Sequence, residues 1–334
     1  MKNQEITIKD IAKKTGFSTQ TVSRVINNSE RVKDSTRAII LDAIEKYNYR
    51  PNVFARNLTG SKKHKNILIS IKSHPEHNAT IWLNLLINKI IATNKDENIS
   101  IFIEQYVDEF DLNRSLITQT STFVDGAIIF YEEFQDKRIE LLKKQHIPYI
   151  IYGKPYNPED IYVGIDNTNS IKLGLDYLLS KNIKKITFLT AFPSPINQAR
   201  ENSIIKEFKA HNIPLENLQI IKYVKNYNDV YQAVQNLYYE HKLPEALYIS
   251  GDEKAVAALK ALHDLGIKVP EDISVMGFDN IPISEYCIPA LSTVSFDYDL
   301  IAQKLLTSIS NLIENKPTTS IKISGTLVIR QSTI

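Results

Sequence analysis

From residue 66 to the C-terminus, short apolar runs alternate with stretches in which apolar residues recur every three or four positions. The runs at 67–71, 99–103, 126–130, 149–152, 186–190, 218–223, 246–249 and 273–277 have the length and β-branched or aromatic content of buried strands. The stretches at 81–93, 170–180, 199–211, 230–241 and 254–265 each carry one apolar stripe and predict helices. Strand and helix alternating over about 270 residues predict parallel sheets covered on both faces, enough for two Rossmann-like lobes. A ligand of such sheets sits at the carboxyl ends of the strands, here in a cleft between the lobes.

The first 50 residues follow a different pattern. Thr7 and Asp10 have the spacing of a capping box, with Thr7 at the N-cap. Ile8, Ile11, Ala12 and Thr15 then fall on one helical face, and Gly16 permits a tight turn. Ser18 can cap a second helix, on which Val22, Val25 and Ile26 form the apolar arc. Gln20, Thr21, Ser23 and Arg24 lie opposite. A third helix, from about 34 to 47, turns Ile40, Ala43 and Ile44 inward. This is the pattern of a helix-turn-helix, whose second helix lies in the DNA major groove. The polar side suits that use. Arg can pair with guanine and Gln with adenine, while Thr21, Ser23 and the nearby Asn27 can bond phosphates. A three-helix packing module with a polar outer face remains open on these residues alone.

Charge adds weight to the first reading. The net charge of +2 hides 14 Lys+Arg against 6 Asp+Glu in residues 1–65, which leaves 26 against 32 for the rest. A basic arm on a mildly acidic body suits a polyanion held by the arm alone. Residues 51–65 are short, basic and poor in core residues, as in a linker. Apolar content of 43% and charged content of 23% are those of a globular protein. No stretch approaches the roughly 20 apolar residues of a membrane helix. The first residues lack the apolar core of a secretory signal. Cys287, the only cysteine, has no partner in the chain, so a cytoplasmic location is expected.

The sequence resembles the lactose-repressor (LacI/GalR) family of bacterial transcription regulators. The resemblance rests on ITIKDIA (6–12), GFSTQTVSRVIN (16–27), VKDSTR (32–37) and YRPNVFARNL (49–58) in the arm. In the body it rests on VDGAII (124–129), Arg200 with Ser203-Ile204, Gly251-Asp252 with Ala255, VPEDISVMGFDN (269–280) and PALST (289–293). It departs from the family at Ser203 and Ile204, at Asn182-Ile183, and at Gly251, where a polar residue is common.

The resemblance implies an all-α helix-turn-helix headpiece (1–50) and a hinge helix with linker (51–65). It also implies an α/β body like that of periplasmic binding proteins. One lobe would comprise 66–164 and 294–323, the other 165–293 and 324–334. Partners implied are a pseudo-palindromic double-stranded operator, a second copy of the chain and a small sugar-like effector; no membrane, cofactor or metal is expected. The DNA-facing set would be Thr7, Ser18, Thr19, Gln20, Thr21, Ser23, Arg24 and Asn27, with Asn52, Ala55 and Leu58 in the hinge. Leu58 would wedge a base step apart. About seven residues cannot hold a helix alone, so hinge folding would be coupled to binding.

The implied effector residues are Trp82, Arg200, Asp252 and Asp279. For Trp82 a core or interface place stays open, for Arg200 and Asp279 an interlobe ion pair, and for Asp252 a helix cap. The function implied is repression of a carbohydrate-utilisation operon. The alternative is a regulator whose corepressor is a phosphocarrier protein or a non-sugar metabolite. No catalytic motif is present: the sequence has neither a P-loop nor G-x-S-x-G, His74 and His77 lack a third ligand, and Cys287 reads as a packing residue.

Overall fold

The computed structural model describes residues 6–26, 29, 31–47, 49, 64–73, 81–119 and 123–334. Asn27, Asn52, Ala55, Leu58, His74 and His77 lie outside the described residues. The chain forms two compact units, Met1–His64 and Lys65–Ile334.

In the first unit, α1 (Ile8–Thr15), α2 (Thr19–Ile26) and α3 (Asp34–Lys46) enclose one small core. Thr7 donates to the Asp10 carboxylate from both its N–H (2.9 Å) and its hydroxyl (2.7 Å). These bonds hold the Asp10 carboxyl below its usual range. Gly16 ends α1 in the left-handed conformation, at φ 72°. The Thr21 N–H donates to Ser18 Oγ at 3.1 Å, so Ser18 caps α2. Ile11, Val22, Val25 and Ile40 are buried together with Val32 and Tyr49, and Ile44 packs partly buried against them. Gly16 and the caps fix the angle between the first two helices, and burial of the valines holds it.

The second unit contains two parallel sheets. The first has the order β11 (Ile321–Ile323), β5 (Tyr162–Ile165), β4 (Tyr149–Tyr152), β3 (Gly126–Phe130), β1 (Lys65–Lys72), β2 (Ile99–Tyr106). The second has the order β7 (Leu218–Ile221), β6 (Ile186–Leu189), β8 (Ala246–Ile249), β9 (Ser274–Met276). Six longer helices cover them in sequence: α4 (Ile81–Thr93), α5 (Lys137–Lys144), α6 (Asn167–Ser180), α7 (Pro195–Ala210), α8 (Tyr227–Tyr239) and α9 (Asp252–Asp264). A further helix, α10 (Tyr298–Ile313), packs on α4 and the first sheet. One core runs through both lobes, and each sheet has a second core on its opposite face. The all-buried pattern of β3, β6 and β8 follows from this double covering.

The chain crosses between the lobes three times. It leaves the first sheet after β5, returns through β10 (Thr293–Ser295) to α10, and crosses again between β11 and β12 (Thr326–Val328). β10 and β12 pair antiparallel at the junction. The last residues then lie along the edge of the second sheet, where the Val275 N–H donates to the Ser332 carbonyl at 2.7 Å. The expected strand 218–223 stops at Ile221, and Tyr223 turns to φ 64°.

Candidate functional site

In both sheets the strand order reverses beside the first strand of the lobe, between β1 and β3 and between β6 and β8. Loops at the carboxyl ends on either side of such a switch point diverge and leave a crevice. The two crevices face each other across a cleft of about 490 Å³. Its lining comes from the carboxyl ends of β3 to β9 and the segments that follow them, and from the start of α4.

The first lobe supplies an aromatic wall. Trp82 is half-buried near the start of α4, with its ring 5.8 Å from Tyr152 in a stacked arrangement and 5.8 Å from Tyr131 edge-on. The 131–136 segment below it is held by a buried ion pair. Arg138, wholly buried, donates to the carbonyls of Ser70 (2.8 Å), Phe130 (3.0 Å) and Tyr131 (3.1 Å) and to both oxygens of Asp136. Asp136 in turn accepts the Glu133 N–H at 3.1 Å. Every strong donor and acceptor of the pair is thereby engaged, which makes burial tolerable. The result is a fixed loop that carries Tyr131, Glu132 and Phe134 to the cleft. Burial pushes the Glu132 carboxyl up to about 7.

The second lobe supplies the polar anchors. Arg200 on α7 donates from Nε to Asn167 Oδ1 at 2.7 Å and from a terminal nitrogen to Ser250 Oγ. Its guanidinium lies 4.1 Å from the centre of the Phe278 ring. A planar fork stacked and bonded in this way is pre-positioned, with remaining donors for a ligand. Asp279 stands opposite at φ 118°, an uncommon conformation for a residue with a side chain, with its N–H donating to the Val294 carbonyl at 2.8 Å. Burial, and secondarily Asp252, push its carboxyl up to about 8. Both residues belong to the second lobe, and no ion pair within 4.0 Å joins them.

Trp82, Arg200 and Asp279 thus line one cleft, and Asp252 does not. Asp252 is wholly buried behind the cleft, where its oxygens accept from Thr293 Oγ1 (2.6 Å), Ser284 Oγ (2.6 Å) and the Ile281 N–H (3.1 Å). The expectation of a ligand contact fails because residue 252 opens α9 pointing into the lobe, and Gly251 takes the N-cap position. Burial raises the Asp252 carboxyl against these hydrogen bonds. The neighbours Glu253 and Lys254 reach the cleft instead, and sequence reading missed both. Glu253 bridges the lobes: its carboxylate accepts the Ile81 N–H at 2.5 Å and the Tyr227 hydroxyl at 2.7 Å.

In the headpiece, Thr19, Gln20 and Arg24 are exposed on α2, opposite Val22 and Val25. Thr21 and Ser23 are half-buried, and the Ser18 and Thr21 hydroxyls bond each other at 2.9 Å. The Thr7 hydroxyl is engaged by Asp10. Among the described residues one cluster, Asp176, Glu207 and His211, has the spacing of metal ligands. The Lys172 ammonium already bonds Asp176 (2.8 Å) and Glu207 (2.9 Å) there. Among the described residues no helix is long and apolar enough to cross a membrane.

Comparison with known proteins agrees with this division. Residues 7–52 match the family model of bacterial regulatory proteins, lacI family, and residues 175–333 that of a periplasmic binding protein-like domain. The chain is 30% identical to the probable HTH-type transcriptional repressor ExuR of Bacillus subtilis, over 91% of this chain and 92% of that protein. It is 29% identical to catabolite control protein A of Priestia megaterium, over 98% and 99%. Its fold superposes on the lac repressor dimer bound to operator and an anti-inducer with a TM-score of 0.84 at 22% identity, covering 99% of this chain and all of the other.

Proposed function

This chain belongs to the lacI family of bacterial regulatory proteins, DNA-binding transcriptional repressors and not enzymes, and from that premise we propose an effector-controlled repressor acting as a dimer on a pseudo-palindromic operator. The effector is a sugar-like small molecule in the interlobe cleft, and the regulated genes serve carbohydrate use in the cytoplasm. The observation that carries the reading is the two-sided α2: Val22 and Val25 are buried, while Thr19 and Gln20, at the N-terminal end that would meet the base edges, and Arg24, in the last turn, are exposed. Asn27, and Asn52, Ala55 and Leu58 of the hinge, complete the DNA-facing set, with Leu58 as a wedge.

Control follows from differential affinity. A ligand shifts DNA binding only as far as it prefers one lobe arrangement over the other. A hundredfold preference corresponds to about 2.7 kcal/mol. The aromatic wall and the Arg200–Asp279 anchors lie on opposite lobes, so a ligand spanning them favours one closure.

The test is a mobility-shift assay with palindromic duplexes selected from a random pool, run with and without candidate sugars. Expected is a salt-sensitive preference for one palindrome that a sugar alters at least tenfold. Absence of any preferred duplex, in every effector state, overturns the reading.

A further inference from the structure

The lobes also meet away from the three crossings, at two points on the cleft wall. The first is a knob in a notch. Gly153, just after β4, stands at φ 101°, and a Cβ there would lie 2.6 Å from Ile196 Cδ1 and 3.4 Å from its Cγ1. The chain behind it is equally bare: a Cβ on Gly164 of β5 would come within 2.9 Å of the Gly153 Cα. Two glycines thus leave a hollow that no side chain of the first lobe fills. Ile196 enters it from the second lobe. It sits in the first turn of α7, which Pro195 opens and Ser194 caps by accepting the Asn197 N–H at 3.2 Å.

The second point is the carboxylate of Glu253. The first N–H groups of a helix have no partner within it, and Glu253 of the second lobe supplies one for Ile81, at the start of α4 in the first. The Tyr227 hydroxyl, 2.7 Å from the other carboxylate oxygen, keeps Glu253 aimed there. The two points stand apart on the first sheet. Gly153 follows β4, whereas α4 follows β1, two strands further along. Rotation of one lobe against the other about the crossings would part both at once.

We propose that these contacts are one latch, by which the chain closes its cleft without an effector. Ile196 leaves the Gly153 notch and Glu253 leaves α4 in the same hinge motion. The consequence for control rests on the cleft being the effector site: a ligand then enters only while the latch is open, so opening sets the ceiling on its rate of entry.

The experiment is hydrogen exchange on the full chain, with neither effector nor DNA added, read at the Ile81 and Trp82 amides. Ile196→Ala removes the knob and leaves Glu253 and α4 unaltered. Expected is exchange at those amides about fivefold faster than in the wild type, with the amides of β3 and β6 unchanged, because an amide exchanges in proportion to the population of its opened form. Acrylamide quenching of Trp82, the only tryptophan, should rise in parallel. Exchange at Ile81 and Trp82 indifferent to Ile196→Ala overturns the inference, since the two contacts then open separately. If Ile196→Ala also loosens β3 and β6, Ile196→Val, which removes only Cδ1, carries the same test and the same two outcomes decide it. Neither effector nor operator enters the measurement, so its failure leaves the repressor reading standing. That reading falls with the duplex preference instead.

Discussion

The carboxylate of Glu253, carried by one lobe, accepts the N–H of Ile81, the first residue of α4 in the other lobe, at 2.5 Å. The same oxygen lies 3.4 Å from the backbone nitrogen of Trp82. A carboxylate at a helix N-terminus meets unsatisfied N–H groups and the positive end of the helix dipole. Glu253→Gln keeps the shape and removes the charge. The expected outcome is a larger radius of gyration in small-angle scattering and effector affinity lower by about tenfold, or about 1.4 kcal/mol. An unchanged radius together with unchanged affinity would show that this contact does not hold the lobes.

Gly277→Ala tests the brace behind the cleft. A Cβ at 277 would come within 2.1 Å of Asp252 Oδ1 and 2.7 Å of Leu291. Neither can retreat, since Asp252 is held by three donors and Leu291 is wholly buried. The variant should lose on the order of 3 kcal/mol of stability by chemical denaturation, the combined scale of overpacking and a broken buried network. A loss below about 1 kcal/mol would mean the brace can yield.

Arg200→Lys should leave the fold and operator binding in place and blunt the effector response. Lysine cannot bond Asn167 and Ser250 at once while stacking on Phe278. The concentration of effector giving half-maximal response should rise about 100-fold, or about 2.7 kcal/mol. Titration of operator complexes by fluorescence anisotropy reads this directly.

The pH dependence of stability should carry the mark of Asp279. Its carboxyl is raised from 3.8 to about 8 in the folded protein. Between those values the folded chain holds a proton that the unfolded chain has released. The contribution is complete below the unfolded value and is lost as pH rises through about 8, at no more than about 1.4 kcal/mol per pH unit. Lys254, lowered from 10.5 to about 8, acts above that window, where rising pH restores stability. Asp279→Asn should therefore gain stability relative to the wild type as pH rises from 5 to 7.5. Parallel melting curves at the two pH values would refute the assignment.

On the DNA side, Gln20→Ala should relax operator preference at one base pair per half-site, at about 1–3 kcal/mol, with little change at other positions. Binding measured across a set of single-substitution duplexes gives that profile. A uniform loss across all duplexes would place Gln20 on a phosphate instead.

Local signals were readable in the sequence wherever one short segment carries the whole cause. The Thr7–Asp10 bond, the Ser18 cap and the buried face of α2 follow from spacing alone. The longer apolar runs became β1 and β3 because both sides of each are covered. The short strands β5, β10, β11 and β12, of three or four residues, are too brief to show a period and owe their form to neighbours across the crossings. The cleft was harder still. Arg200 and Asp279 came from motif resemblance, whereas Tyr152 reads as core because it ends an apolar strand. The choice between Asp252 and its neighbours turns on the roughly 100° that separates successive residues around a helix. That angle sends Asp252 inward and Glu253 and Lys254 to the cleft, and the sequence carries no mark of where the helix begins to within one residue.

The three crossings have a consequence for how this body can be taken apart. Neither lobe is a continuous stretch: the first takes α10 and β11 from late in the chain, and the second is sealed by Ser332, whose hydroxyl donates to the Val275 carbonyl at 2.6 Å. No single cut yields an intact half. Partial synthesis leaves the second sheet with an open edge until the final residues emerge. An engineer wishing to graft a new specificity must therefore exchange loops within the pair, because the halves cannot be traded as modules.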